Sequence, residues 1–292
     1  MTTAILDHGP QHSPLYFAWR RFAANKAAVA GGLVLGVLIL MAVFAPLITK
    51  TGPTEQTFLT QALAFPSGEF WFGIDDLGRD FFTRIVHGAR VSLTIGFAAA
   101  TFSVVIGIPL GAVAGYYGGR ADWAVMRLIE LFSVVPPLLA AMLLGALTQG
   151  GFFTIVLIAA LFGWVQVCLL VRAQVRAFKE KEFVRAAAAL GATPGYIIRR
   201  HLVPNSISPI IVGFVLAIPL AMMLEASLSF LGIGVPPPTP SWGQMINTGM
   251  NFMYFYWHLA VFPTAALAIT VLATTLFGDG LRDALDPTLK GR

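Results

Sequence analysis

Residues 182–209 decide how the chain is organised, and they read Glu-Phe-Val-Arg-Ala-Ala-Ala-Ala-Leu-Gly-Ala-Thr-Pro-Gly-Tyr-Ile-Ile-Arg-Arg-His-Leu-Val-Pro-Asn-Ser-Ile-Ser-Pro. This stretch is basic and polar, although long apolar runs lie on both sides of it. Its alanine-rich first half favours a helix by intrinsic propensity. Gly191 then allows a sharp turn, because a residue without a Cβ atom adopts the left-handed conformation without a steric clash.

A second short helix is predicted after this turn. Thr193 is a typical N-cap residue, and Pro194 suits the first helical position, where the missing N–H group is not needed. Pro204 and Pro209 are expected to end this helix before the next apolar run. Two short helices joined at a glycine form a knuckle that another protein could hold. An ordinary cytoplasmic loop is the alternative.

The composition excludes a soluble globular domain. Of the 292 residues, 57% are hydrophobic and only 11% are charged, whereas soluble proteins carry about 25% charged residues. The apolar runs are long enough to cross the hydrocarbon core of a bilayer. We therefore predict an all-α polytopic membrane protein. The single cysteine, Cys168, excludes an internal disulfide framework, and no cysteine spacing typical of a metal site is present.

Six transmembrane helices are predicted, at about 27–48, 91–116, 123–147, 152–171, 210–231 and 258–277. With the N-terminus inside, 15 of the 19 Lys and Arg residues fall on the inner side, as positively charged cytoplasmic loops require. Both termini and the loop 182–209 are therefore expected in the cytoplasm. The formal charge of +5 reports this topology and does not indicate nucleic-acid binding. Residues 1–26 are predicted to form a cytoplasmic tail and an interfacial helix, ahead of the membrane domain at 27–292.

Small residues and prolines mark particular positions along these spans. A stripe that recurs every four residues in the second span predicts close helix packing; it consists of Gly107, Gly111 and Gly115. Pro109 is a candidate kink in the same span, and Pro136-Pro137 interrupts the third span. Residues 232–242, which follow the fifth span, are expected to form a stiff proline-rich loop.

The longest polar interval, 50–90, contains three acidic residues in a short run. Asp75, Asp76 and Asp80 resemble a calcium-binding loop only superficially, because the later glycine and the terminal glutamate of such a loop are missing. The simpler interpretation is a capped turn that leads into an amphipathic helix at 81–89. We therefore predict a structural role for this run.

The knuckle also resembles a known sequence motif. Ala186-Ala187, Gly191 and Val203-Pro204 are similar to the "EAA" loop in permease subunits of binding-protein-dependent ABC importers. The full sequence of the stretch is most similar to the corresponding loop in the dipeptide and oligopeptide (nickel) permease branch. Two positions depart from the pattern: Arg185 occupies the position of the acidic residue, and Val203 stands where leucine is usual.

Three further stretches carry the same resemblance in the same order along the chain. Residues 72–80 resemble the "FGTDxxGRD" signature that precedes the second span, with Ile74 in place of threonine. Residues 224–243 resemble the end of the fifth span and its following loop, and 277–287 resemble the C-terminal signature. The chain is therefore identified as a member of this permease family over nearly its whole length.

This resemblance implies a type I ABC importer permease fold in a bacterial inner membrane. It also implies a second homologous permease subunit, two ATP-binding subunits and an extracytoplasmic substrate-binding protein as partners. The chain has no Gly-x4-Gly-Lys-Ser/Thr phosphate-binding motif, so ATP and Mg are expected in the partner subunits, and the chain itself is expected not to be an enzyme. The residues implied for the ATPase contact are Arg185, Ala186, Ala187, Gly191, Ala192, Thr193, Tyr196, Ile197, Arg199 and Arg200.

Two acidic residues within the spans leave alternatives open. Glu225 and the nearby Ser229 are candidates for the translocation pathway of di- or oligopeptides or related solutes, because a charge inside a span should face protein or a water-filled cavity. A structural pairing role is the alternative for Glu225. Glu130 lies one turn after Arg127 and suggests a local helix pair. An ion-coupled secondary transporter using Glu225 or Glu130 is the alternative function, although no inverted internal repeat is evident.

Overall fold

The computed structural model describes residues 14–148 and 150–285. Its helices are α1 (Pro14–Ala24), α2 (Lys26–Val43), α3 (Ala45–Ile48), α4 (Phe81–Tyr117), α5 (Gly119–Val134), α6 (Pro137–Thr148), α7 (Phe152–Lys179), α8 (Glu182–Ala189), α9 (Pro194–Ile197), α10 (Val203–Asn205), α11 (Ile207–Phe230), α12 (Trp242–Met250) and α13 (His258–Leu285), with a 3-10 turn at Leu59–Gln61 and a π turn at Ile198–Leu202. The predicted tail before residue 14 and the last part of the C-terminal signature, 286–287, lie outside the described residues.

The described part of the chain contains five helices that are long and apolar enough to cross a membrane: α2, α4, α7, α11 and α13. The pair α5 and α6 is apolar enough to count as a sixth, broken span, and its two helices are bent by 78° relative to each other. The bend lies at Pro136-Pro137, as predicted, because proline lacks the N–H group that would continue the helix. For the described residues, the prediction of an all-α membrane fold is confirmed, with six spans when the bent pair is counted as one.

The second membrane helix is longer than its apolar core. We expected the span to begin at residue 91, but α4 begins at Phe81 and continues without a break through Pro109 to Tyr117. Its 37 residues extend for about 55 Å, which exceeds the roughly 30 Å of a hydrocarbon core. The amphipathic segment 81–89 is therefore the first part of the spanning helix and not a separate element.

The glycine stripe of α4 packs against α7. A Cβ atom at Gly111 would lie 2.5 Å from the carbonyl oxygen of Cys168, and one at Gly115 would lie 2.7 Å from the carbonyl oxygen of Arg172. A Cβ atom at Gly107 would lie 2.7 Å from the side chain of Val167. These distances leave no room for any side chain, so the predicted close helix packing is confirmed.

The two ends of the helical bundle have separate cores. One core contains Phe81, Trp242, Met245 and Leu259 and joins the starts of α4 and α13 to α12. The other lies under the knuckle, at the opposite ends of the same bundle. The short helix α12 was not predicted, because the proline-rich residues 232–242 were interpreted as a loop. The helix begins at the end of this stretch, after its N-cap Ser241.

Candidate functional site

The knuckle, defined as residues 182–205, has the predicted local structure in its first half. Helix α8 ends before Gly191, which adopts φ +83°, and the amide of Ala192 returns to the carbonyl oxygen of Ala187 at 3.1 Å. The side chain of Thr193 then accepts a hydrogen bond from the amide of Tyr196 at 3.4 Å and caps α9. The glycine turn and the threonine cap are therefore confirmed.

The second helix ends at Asn205, between the two prolines that were predicted to end it, but its path includes a π turn that was not predicted. The chain remains helical from α9 through the π turn into α10, and α11 begins only two residues after α10 ends. The amide of Val203 donates to the carbonyl oxygen of Ile198, five residues earlier, which is the spacing of a π turn. This wider turn ends immediately before Pro204. Pro209 lies in the first turn of α11, where an N–H group has no partner within the helix. The helical path is therefore interrupted only at Ser206, between the two prolines.

The inner face of the knuckle is apolar and buried. Val184, Ile197 and Leu202 are at most 3% exposed and pack on Val171 and Val175 of α7. Ile197 was expected to offer an apolar contact to a partner, but its side chain is directed into this core. The knuckle is thus attached to the spanning helices by hydrophobic packing, which sequence spacing did not reveal because helical phase is lost at the glycine turn.

The outer face of the knuckle carries large apolar side chains in contact with solvent. Leu190 is 88% exposed, Tyr196 is 53% exposed and Phe183 is 42% exposed. A Cβ atom at Gly191 or Gly195 would have no atom within 4 Å. Of the predicted contact residues, those exposed on the knuckle are Arg185, Ala186, Gly191, Thr193, Tyr196, Arg199 and Arg200, whereas Ala187 and Ala192 are half-buried.

The unusual Arg185 has a partner within its own chain. Its Nη2 atom donates to Oε2 of Glu180 at 2.9 Å, and both side chains are exposed. This hydrogen bond, together with the charge of Arg185, lowers the pKa of the Glu180 carboxyl group. The acid that the "EAA" pattern would place at 185 is therefore replaced by a cation that pairs with an acid at the end of α7.

An open cavity of about 810 Å³ lies among α4, α6, α7 and α11. Its walls are mostly apolar, and Ser103, Gln166 and Ser227 supply polar groups. This volume falls within the range of about 300–1,000 Å³ that is common for ligand sites. The sequence did not indicate this cavity, because its lining residues come from four helices and share no motif.

Neither candidate acid lines this cavity. Glu225 is fully buried in α11, and the hydroxyl group of Ser229 donates to its Oε1 atom at 2.7 Å. Glu130 lies on the surface, where its Oε2 atom accepts from Arg127 Nη1 at 2.5 Å, which confirms the predicted helix pair. Among the residues that the structure shows around the cavity, none is acidic. The geometry therefore offers no support for an ion-coupled site at either residue.

A buried ionic cluster organises the segment 49–80 at the other end of the bundle. Asp75 Oδ2 accepts from Arg79 Nε at 2.6 Å and lies 3.3 Å from Arg84 Nε. Asp80 accepts from the amide of Thr83 at 2.9 Å and caps α4, as the capped-turn interpretation predicted. The pairing of Arg79 and Arg84 with Asp75 was not predicted, although the closeness of these basic and acidic residues in the sequence was an available signal.

Comparison with known proteins identifies the family. Residues 107–291 match the family described as "Binding-protein-dependent transport system inner membrane component". Residues 13–66 match a second family, "N-terminal TM domain of oligopeptide transport permease C". Both matches agree with the resemblance that the four sequence motifs indicated.

Full-length relatives and a solved structure agree with this result. The chain is 42% identical over 274 residues to the oligopeptide transport system permease protein OppC of Bacillus subtilis (strain 168), covering 94% of this chain and 89% of that protein. It is 39% identical over 289 residues to the glutathione transport system permease protein GsiD of Pectobacterium atrosepticum, covering 99% and 96%. A chain of the inward-facing MetNI methionine ABC transporter shares the fold, with a TM-score of 0.54, 19% identity and coverage of 70% of this chain and 96% of that one. The chain therefore belongs to the binding-protein-dependent transport system inner membrane components and is a multi-pass permease subunit of an ABC importer.

Proposed function

We propose that this permease forms half of the translocation pathway for di- or oligopeptides or related small solutes. A second homologous permease would form the other half, and an extracytoplasmic binding protein would deliver the cargo. The relatives named for oligopeptide and glutathione transport support this class of cargo. The large, mostly apolar cavity supports a pathway for side chains of varied shape. The cavity wall, and not Glu225 or Ser229, is the surface that we assign to the cargo.

Energy would enter from two partner ATPase subunits, which would bind ATP and Mg. The outer face of the knuckle would dock into a groove of one ATPase subunit through Leu190 and Tyr196, with Arg199 and Arg200 directed towards acidic groups of the partner. The observation that carries this proposal is the two-sided knuckle, which buries its inner face under the spans while its outer apolar face lies open.

The position of the knuckle in the chain gives a direct mechanical route to the cavity. It lies between α7 and α11, and both of these helices line the cavity. Movement of the knuckle would therefore shift two cavity walls together, as alternating access requires. The excess of basic residues on the same side of the spans supports a cytoplasmic location for the knuckle and for both termini.

Replacement of Gly191 by Trp tests the coupling role. The positive φ and the open space at this residue mean that Trp would strain the turn and fill the docking surface without disturbing the core. We expect binding-protein-dependent uptake in proteoliposomes to fall about tenfold or more, a loss equivalent to about 1.4 kcal/mol of coupling. ATPase subunits should also copurify more weakly or hydrolyse ATP without transport.

Gly232 provides a matched control, because it also has a positive φ of 80° and open space but lies at the other end of α11. The Gly232→Trp variant should retain the ATPase subunits. If Gly191→Trp supports normal coupled uptake while inserting normally, the proposed docking surface is wrong. An equal loss of the ATPase subunits in both variants would contradict it as well.

A further inference from the structure

Glu225 lies at the centre of a buried polar cluster that joins three helices. It is 0% exposed, and its Oε1 atom accepts from the hydroxyl group of Ser229 on the same helix at 2.7 Å. Ser92 of α4 and Ser241, the N-cap of α12, place their hydroxyl groups beside the same carboxyl group. The Oε2 atom nevertheless has no hydrogen-bond partner of normal geometry.

Within residues 14–148 and 150–285, no cation faces this carboxyl group from the elements packed around it. The polar neighbours are a serine from α4, a serine from α11 and the serine that caps α12. Arg84, a buried cation of α4, is directed to Asp75 and to the carbonyl oxygen of Pro53. A buried carboxylate without a cation and with one oxygen unsatisfied is strongly disfavoured, whereas a protonated Oε2 can donate to a serine oxygen.

Two of the three serines beside Glu225 are also the attachment points of α12. Ser92 Oγ accepts from the amide of Trp242 at 3.2 Å, and Ser241 Oγ accepts from the amide of Gln244 at 3.2 Å. The indole of Trp242 donates to the carbonyl oxygen of Ile85 at 3.0 Å. One carboxyl group thus contacts both of the hydroxyl groups on which the start of α12 depends.

Helix α12 also lies in direct backbone contact with α11 at this point. A Cβ atom at Gly243 would lie 2.6 Å from the Cα atom of Ala226 and 2.8 Å from the Cβ atom of Ser229. The neighbouring residues Leu224 and Ser227 are directed into the cavity from the same turn of α11. The cluster therefore lies behind the cavity wall and sets the position of that wall.

We propose that Glu225 is a positioning residue that, as an uncharged acid, pins α12 to α4 and α11 behind the cavity wall. It does not contact the cargo. Its neutral carboxyl group holds the serines that orient the start of α12, and so fixes the shape of one end of the cavity. This inference goes beyond the transport role, since it concerns the charge state and the structural role of one residue outside the pathway.

Infrared spectroscopy of the complete importer tests the charge state directly. The difference spectrum between the wild type and the Glu225→Gln variant at neutral pH should contain the carbonyl band of a protonated carboxylic acid. Glu130→Gln is the matched control, because this exposed acid is paired with Arg127 and should contribute a carboxylate band. A carboxylate band for Glu225 would overturn the inference, whatever the transport assay shows.

Uptake kinetics test the positioning role separately. Glutamine matches the neutral acid in shape, so Glu225→Gln should retain uptake within about twofold, whereas Glu225→Asp, which is too short to reach the serines, should lower the maximal rate about tenfold. In the Glu225→Gln variant the KM for cargo should also be unchanged, because this side chain lies outside the cavity and the amide keeps the wall in place. A rise in KM for the Gln variant, failure of that variant to assemble or transport, or a normal maximal rate for the Asp variant would contradict the proposal.

Discussion

The knuckle and the segment 49–80 both connect membrane-spanning helices, but different forces hold them in place. Beneath the knuckle, the buried side chains are apolar and come from Val184, Ile197 and Leu202. In the segment 49–80, apolar Ile74 is buried as well, but charged groups are buried beside it and form hydrogen bonds with defined directions. Hydrophobic contact is non-directional and tolerates small rotations, whereas charge-assisted hydrogen bonds are lost when the geometry changes. The knuckle is therefore suited to transmit motion, and the other segment is suited to keep one shape.

The largest effect is expected when the ionic cluster is broken. Asp75→Ala would leave the guanidinium groups of Arg79 and Arg84 buried without their acid. Removing one partner of a buried ion pair costs about 3–5 kcal/mol. We expect the variant to lower the unfolding temperature of the purified importer and to expose 49–80 to limited proteolysis. The exposed Glu69 supplies a control with the same change in charge, and Glu69→Ala should change neither measurement. Equal protease resistance in both variants would show that directional pairing does not hold this segment.

The next prediction separates the two faces of the knuckle. Leu202 is fully buried and Leu190 is 88% exposed, so the same substitution removes the same atoms in opposite environments. Leu202→Ala should cost about 2–5 kcal/mol of stability through the cavity that it leaves. Leu190→Ala should leave thermal stability unchanged but weaken copurification of the ATPase subunits. If Leu190→Ala destabilises the isolated permease as much as Leu202→Ala does, the outer face is not the free surface that the comparison requires.

The smallest effect concerns Asp76, which lies at the edge of the cluster with its Oδ1 atom 4.0 Å from Arg79 Nη2. Its Oδ1 atom has no hydrogen-bond partner, and burial, followed by the charge of Asp75, raises the pKa of its carboxyl group. Because the folded state binds this proton more tightly than the unfolded state does, stability falls as pH rises through the window above 3.8. The Asp76→Asn variant should therefore be slightly more stable than the wild type at neutral pH. This gain should disappear as the pH is lowered towards 3.8, as measured by thermal unfolding. A gain that is independent of pH would mean that ionisation of Asp76 is not its cause.

Local signals in the sequence predicted local structure well. The turn at Gly191, the cap at Thr193 and the break at Pro136-Pro137 each depend on the chemistry of one or two residues and their immediate neighbours. The prediction did not include the π turn at Ile198–Leu202 that precedes Pro204. It also failed to find α12, although the Ser241 cap, which accepts from the amide of Gln244, is local; only the bond from the Trp242 amide to Ser92 comes from a distant helix.

The amino-acid sequence by itself determined the class of protein, the number of spans and the family, because apolar length, basic loops and short motifs are properties of neighbouring residues. Only the tertiary structure decided which side of the knuckle is buried, where the cavity lies and what surrounds Glu225. These features depend on the rotation of each helix about its axis and on which helices meet. Contacts between residues far apart in the chain set both quantities, as with Ser92 and Trp242, which are 150 positions apart.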